Sequence, residues 1–227
     1  MAYYAVRKGR KTGIFESWAE CREQIFRFSG AVYKSFMTLE EAKAYMDKGS
    51  VKKTVTGKVA YVDGSYDETL GYSYGAVLFD VDKPEEQIHL SGRGYDSEWM
   101  ESRNVAGELL GSISAIAYAY ESGTKSLTVF HDYQGVGSWA DDEWQATKDI
   151  TMTYKKIIEE YRRKGMELSF VKVSGHSGNY FNDYADALAK NAVAIIVTDK
   201  RFSDMHPVEY DVRGMIREMK GKVKGIV

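Results

Sequence analysis

The amino-acid sequence predicts an α/β protein in two parts, a mixed β-sheet domain preceded by a small α/β module. Three observations lead there. Beyond Lys58, three strand-like segments follow one another as a meander and two more alternate with helical segments. A meander suits antiparallel pairing, and strands separated by helices suit parallel addition to the same sheet. Before Gly49, the order strand, strand, helix, strand, helix is completed in a short span. Charge divides at the same place. Residues 1–58 hold twelve Lys and Arg against six Asp and Glu, a balance of +6; the 227-residue chain carries −2, which leaves −8 for residues 59–227.

In the N-terminal module, residues 3–7 (Tyr-Tyr-Ala-Val-Arg) read as a strand, and Lys8–Gly13, glycines among basic residues, as a turn. A second short strand starts at Gly13. Ser17 or Trp18 precedes a helix over Glu20–Phe28, and Ala31–Phe36 is strand-like. Thr38 has the character of a helix N-cap, with Glu41 three residues on to complete a capping box for a helix ending at Met46. So small a unit builds only a thin core. Gly49–Gly57 is polar and reads as a linker; a flexible chain of that length spans ~17 Å on average. The expected division is therefore 1–48, a linker at 49–57, a main domain over 58–197, and an extension over 198–227.

In the main domain, Val59–Asp63, Tyr72–Phe79 and Gln87–Tyr95 are strands, with Pro84 expected in the turn between the last two. Val105–Glu121 is a helix whose Leu109, Ile113, Ile116 and Tyr120 recur at the spacing of one buried face. Asn104 is its expected N-cap. Ser126–His131 and Glu167–Val173 are strands. Between them lies a helix, Lys148–Arg163, with Ile150, Tyr154, Ile157, Ile158 and Tyr161 inward. Asn182–Val193 is the last helix of this domain. In the extension, Val212–Met219 has helical character and Lys220–Lys224 is basic; a solvated terminus is expected there.

No stretch approaches the ~20 apolar residues of a membrane helix, so no membrane partner is expected. Cys21 is the single cysteine, which excludes an intrachain disulfide and fits a reducing compartment; the expected location is cytoplasmic. A basic module attached to an acidic domain suits a polyanion that the module holds and the domain by itself would repel.

Four acids stand out. Asp63 and Asp132 each follow an apolar strand, and Glu108 and Asp186 lie near the starts of helices. In α/β sheets, sites form outside the carboxyl ends of parallel strands. Four carboxylates in one place repel one another and require cations or protons. Hard oxygen ligands suit Mg²⁺, with Mn²⁺ as a substitute, and two such ions can serve a phosphodiester hydrolysis. Each acid taken alone reads as structural; it is their order along these elements that points to a site.

The residues Asp63-Gly64-Ser65, the run Asn104 to Glu108, His131-Asp132, the loop Ser174 to Gly178 and the run Asn182 to Asp186 together resemble type 1 ribonuclease H over residues 58–195. Independently, residues 3–15 with Trp18, Cys21 and Tyr33 to Phe36 resemble the hybrid-binding domain of eukaryotic type 1 enzymes and caulimovirus inclusion-body proteins. The resemblance implies a ribonuclease H-like five-stranded mixed sheet with helices on both faces. It implies hydrolysis of the RNA strand of RNA–DNA hybrids, with two Mg²⁺ ions on Asp63, Glu108, Asp132 and Asp186. His176 would assist proton transfer or product release. Asn104 and the Gly64–Ser65 backbone would contact nucleic acid, and Trp18, Tyr33 and Lys34 would meet the DNA strand. It also admits double-stranded RNA as a partner of the N-terminal module, and a monomer is expected. The alternative is a nucleic-acid-binding protein with an inactive ribonuclease H-like body.

Several positions depart from that family's pattern: Ser35, Arg103, Val105 and Tyr133. The stretch Trp139 to Trp144, where some members carry a basic protrusion, is acidic and cannot grip phosphate.

Overall fold

The computed structural model describes residues 2–48, 55–175 and 178–225. The chain separates into two compact units, residues 1–54 and 55–227.

In the first unit, β1 (Tyr3–Lys8) lies between β2 (Gly13–Phe15) and β3 (Val32–Phe36), all antiparallel. Helices α1 (Trp18–Ile25) and α2 (Leu39–Lys48) cover the sheet. Ser17 caps α1, accepting from the Glu20 backbone N–H. The expected capping box forms at α2: the Glu41 N–H donates to Thr38 Oγ1, and the Thr38 N–H donates to Glu41 Oε2, each at 3.2 Å. The buried core is small, as a unit of this length dictates: Ala5, Val6, Cys21, Val32 and Ala42. Residues 49–54 of the expected linker lie outside the described residues.

The second unit holds one mixed sheet. β4 (Lys58–Asp67), β5 (Gly71–Asp80) and β6 (Lys83–Gly94) form the meander. β7 (Ser126–His131) adds parallel to β4, and β8 (Glu167–Lys172) parallel to β7. Helix α4 (Asn104–Glu121) packs on one face of the sheet; α6 (Asp149–Arg163) packs on α4. Helix α7 (Tyr180–Ala192) covers the other face. The strand alternation sorts side chains accordingly: Ala60, Val62, Tyr74, Ala76 and Leu78 join Leu109, Ile113 and Ile116, whereas Val59, Val77 and Phe79 meet Ala185 and Leu188. Two short helices, α3 (Ser97–Met100) and α5 (Gln134–Ala140), fill connections that the sequence reading leaves as loop.

Three expectations are corrected. Pro84 is not in a turn; it is the second residue of β6, beside the irregular register between Leu78 and Asp80, where a missing N–H is tolerated. Asn104 is the first residue of α4 and not its cap: Arg103 occupies the capping position at φ 48°, with no side-chain cap bond. The C-terminal segment is not a solvated tail. β9 (Val208–Glu209) adds a sixth, parallel strand beside β6. Helix α8 (Arg213–Lys224) packs on α6 and buries Ile216 and Met219 in the main core. Lys220 is spent on carboxylates, 2.6 Å from Asp96, 2.8 Å from Glu98 and 3.3 Å from Asp149.

No helix among the described residues is long and apolar enough to cross a membrane.

Candidate metal centre and nucleic-acid contacts

Asp63 lies inside a strand and not at its end. β4 continues to Asp67 with β5, but its parallel partner β7 pairs only as far as Tyr61 with Phe130. Asp63 thus emerges where the parallel pair stops, and Asp132 follows the last residue of β7. Glu108 reaches the same place from the opening turns of α4. This approach depends on two glycines. A Cβ on Gly64 would meet the Gly107 carbonyl carbon at 2.7 Å, and one on Gly107 would meet Gly64 Cα at 2.8 Å. The strand and helix backbones therefore touch, and Glu108 is delivered beside Asp63.

One oxygen each from Asp63, Glu108 and Asp132 lie within 4.8 Å of one another. Asp63 and Glu108 are 7% and 5% exposed, and Glu108 Oε2 is buried with no hydrogen-bond partner. The Gly64 N–H donates to Asp63 Oδ1 at 2.7 Å. Burial, then the Asp132 charge, pushes the Asp63 carboxyl up to about 7. Glu108 is raised for the same reasons: burial first, then the charges of Asp63 and Asp132. An acidic trio of two buried members and half-buried Asp132, with an orphaned oxygen, is a donor set short of a cation, and hard carboxylate oxygens suit a divalent ion such as Mg²⁺ or Mn²⁺. The residues present fit that group.

Asp186 is placed differently. Its charge bears on Asp63, so it belongs to the same neighbourhood. Yet it stands outside the close trio, with Oδ2 2.6 Å from Lys190 Nζ one helical turn on. It lies in the second turn of α7, not the first, because the helix starts at Tyr180 with Asn179 as its cap. His176 lies outside the described residues. Gly175, just before it, runs against the Asp132 carboxylate: a Cβ there would collide with Asp132 Oδ2 and would push that side chain aside. His131 is a structural residue: burial pushes its imidazole down to about 4, and Nδ1 bonds the Tyr133 carbonyl at 2.8 Å.

Asn104 is exposed at the rim of this centre, its carbonyl against Gly64. Ser65 is 6% exposed, so a contact at Gly64–Ser65 falls to the backbone. In the acidic stretch Trp139–Trp144, two acids pair with cations of α6, Asp141 with Arg162 at 2.6 Å and Asp142 with Lys155. Of its two tryptophans, Trp139 packs on the core and stands edge-on to Trp144.

In the N-terminal unit the aromatics are not core. Trp18 is 45% and Tyr33 39% exposed, and both belong to a row of rings, Tyr4–Trp18–Tyr33, with centroids 5.6 and 5.7 Å apart. Lys34 is partly exposed next to Tyr33. An exposed aromatic row on a basic unit is a platform for sugars or bases.

The sequence reading overlooked Lys190, although its spacing four residues after Asp186 was an available signal; Gly107 and Gly175 stand within the runs that carry the resemblance, but their close approaches across the fold leave no local mark.

A family model described as RNase H matches residues 55–194, and one described as the ribonuclease H1 N-terminal domain matches residues 2–46. A ribonuclease H of Saccharomyces cerevisiae is 50% identical over 70% of this chain and 40% of its own length. Ribonuclease H1 of Homo sapiens is 47% identical over 24% of this chain and 19% of its own. A ribonuclease H of Schizosaccharomyces pombe is 37% identical over 85% of this chain and 97% of its own length. The chain thus spans less than half the length of the first two relatives and nearly all of the third. Among solved structures, RNase H1 of Halobacterium salinarum shares 22% identity over 60% of this chain and 96% of its own, with a TM-score of 0.49. The first family model covers well over half of the sequence and contains the whole carboxylate trio, and on that ground the chain belongs to the ribonuclease H family.

Proposed function

We propose that this protein is an endonuclease that hydrolyses the RNA strand of RNA–DNA hybrids and leaves 5′-phosphate and 3′-hydroxyl ends. The observation that carries the reading is the trio of buried Asp63 and Glu108 with half-buried Asp132, within 4.8 Å and with Glu108 Oε2 unsatisfied. Two Mg²⁺ ions, or Mn²⁺ in their place, held by these three carboxylates and Asp186 would supply the charge stabilisation that phosphodiester hydrolysis needs.

The chain's own residues supply the rest. Asp63 and Glu108, held in place by the strand–helix contact at Gly64 and Gly107, keep the centre preorganised and largely shut off from bulk water. Asn104 and the Gly64–Ser65 backbone are proposed to hold the hybrid at the rim, where contact with a 2′-hydroxyl separates RNA from DNA. His176 is assigned a part in proton transfer or product release on the family resemblance. Trp18 and Tyr33 are proposed to lie on deoxyriboses of the DNA strand with Lys34 at a phosphate. Such contacts touch backbone and sugar, so little sequence preference is expected.

The test is cleavage of an end-labelled hybrid with Mg²⁺, alongside duplex DNA and duplex RNA, with Asp132→Asn as control. Selective cutting of the RNA strand in the hybrid, lost in the variant, supports the reading. Binding of the hybrid without cleavage would replace it with that of a nucleic-acid-binding protein.

A further inference from the structure

The ion pair between Asp186 and Lys190 bears on how this centre loads metal. Asp186 and Lys190 are four residues apart on α7, an arrangement that faces the two side chains toward each other. Asp186 Oδ2 accepts from the Lys190 ammonium at 2.6 Å, and the two side chains are 21% and 36% exposed. Among the described residues, no Lys, Arg or His forms an ion pair with Asp63, Glu108 or Asp132, which together make the close trio; Asp186 stands outside it. Three of the four acids are thus gathered, and the fourth is tied to a cation belonging to the protein.

We infer that Lys190 is a positioning residue that competes with a divalent ion for Asp186 and so weakens the second of two metal-binding events. This rests on the reading of the centre as a divalent-metal site. The trio, short of positive charge, takes the first ion with no competitor. An ion that engages Asp186 must displace the ammonium or share the carboxylate with it, and the cost of breaking that pair is subtracted from its binding. Removing the ammonium frees Asp186 and returns that cost. Arginine at the same position keeps a cation within reach and preserves the competition.

Isothermal titration calorimetry of the full-length protein with Mn²⁺ tests this, using wild type, Lys190→Met and Lys190→Arg. Two binding events are expected in the wild type. In Lys190→Met the weaker one should tighten by about two- to fivefold, the range expected for a partly exposed ion pair. Lys190→Arg should stay close to wild type. An unchanged or weaker second event in Lys190→Met would overturn the inference while hybrid cleavage and the first event stand. Absence of any Mn²⁺ binding in wild type would overturn the metal reading and this inference with it. Circular dichroism of each variant confirms that α7 is intact.

Discussion

Lys220 and Asp96 are 124 positions apart in the chain and 2.6 Å apart in the fold. The Lys220 side chain is 13% exposed and has Glu98 and Asp149 within reach as well; Asp149 in turn accepts from the indole N–H of the fully buried Trp99 at 3.0 Å. Helix α8 is thereby tied to α3 and to the start of α6. Lys220→Met should cost about 1–2 kcal/mol of stability, because it leaves Asp96 without its cation and Glu98 and Asp149 with Lys224 alone. Urea denaturation measures this, and a variant as stable as wild type would show that apolar packing of Ile216 and Met219 holds the helix by itself.

Gly64 and Gly107 make the second prediction. Each occupies the space where the other's side chain would project. Gly107→Ala should destabilise the protein by about 1–3 kcal/mol, since the strand and helix must move apart. It should also depress cleavage more than hybrid binding, because the shift carries Glu108 away from Asp63. Comparing turnover with the dissociation constant for hybrid separates the two effects.

Chelated protein should carry its carboxylate cluster as a liability. Asp63 is pushed up to about 7 from an ordinary value of 3.8, so over that interval the folded state holds a proton that the unfolded chain has released. Stability in a chelator should therefore fall as pH rises from about 4 to about 7. Glu108→Gln removes one of the repelling charges. In chelator at neutral pH it should raise stability by about 1–2 kcal/mol while abolishing cleavage, a trade of stability against function. Thermal melts with and without Mg²⁺ decide it; a melting temperature below wild type in chelator would contradict the account.

The exposed ring row of the N-terminal unit should act in binding alone. Trp18→Ala is expected to weaken hybrid affinity about tenfold, as loss of an aromatic anchor does, with turnover at saturating hybrid nearly unchanged. Tryptophan fluorescence and gel shift across salt concentrations provide the measurement. An unaltered dissociation constant would return Trp18 to a structural role.

Much of the protein was legible in the sequence because the signals are local. Apolar periodicity marked α4 and α6, successive strand-like segments marked the meander, and Thr38 with Glu41 marked the start of α2. The acids could be named from their order along the elements, although each one alone reads as structural. Their unequal standing could not. Whether Asp186 joins the trio depends on where α7 starts and which face it turns, and the structure gives it to Lys190. The tail was misread for a related reason: its polar, lysine-rich sequence resembles a solvated end, and only the presence of Asp96, Glu98 and Asp149 on other elements makes a dock of it. What the sequence by itself determined are the properties that depend on neighbours in the chain: element type, charge division and the identity of the acids. What the tertiary structure alone decided are the relationships between distant backbones, the touching glycines at 64 and 107 and the cation that each carboxylate meets, because charge and contact act through space and are blind to position along the chain.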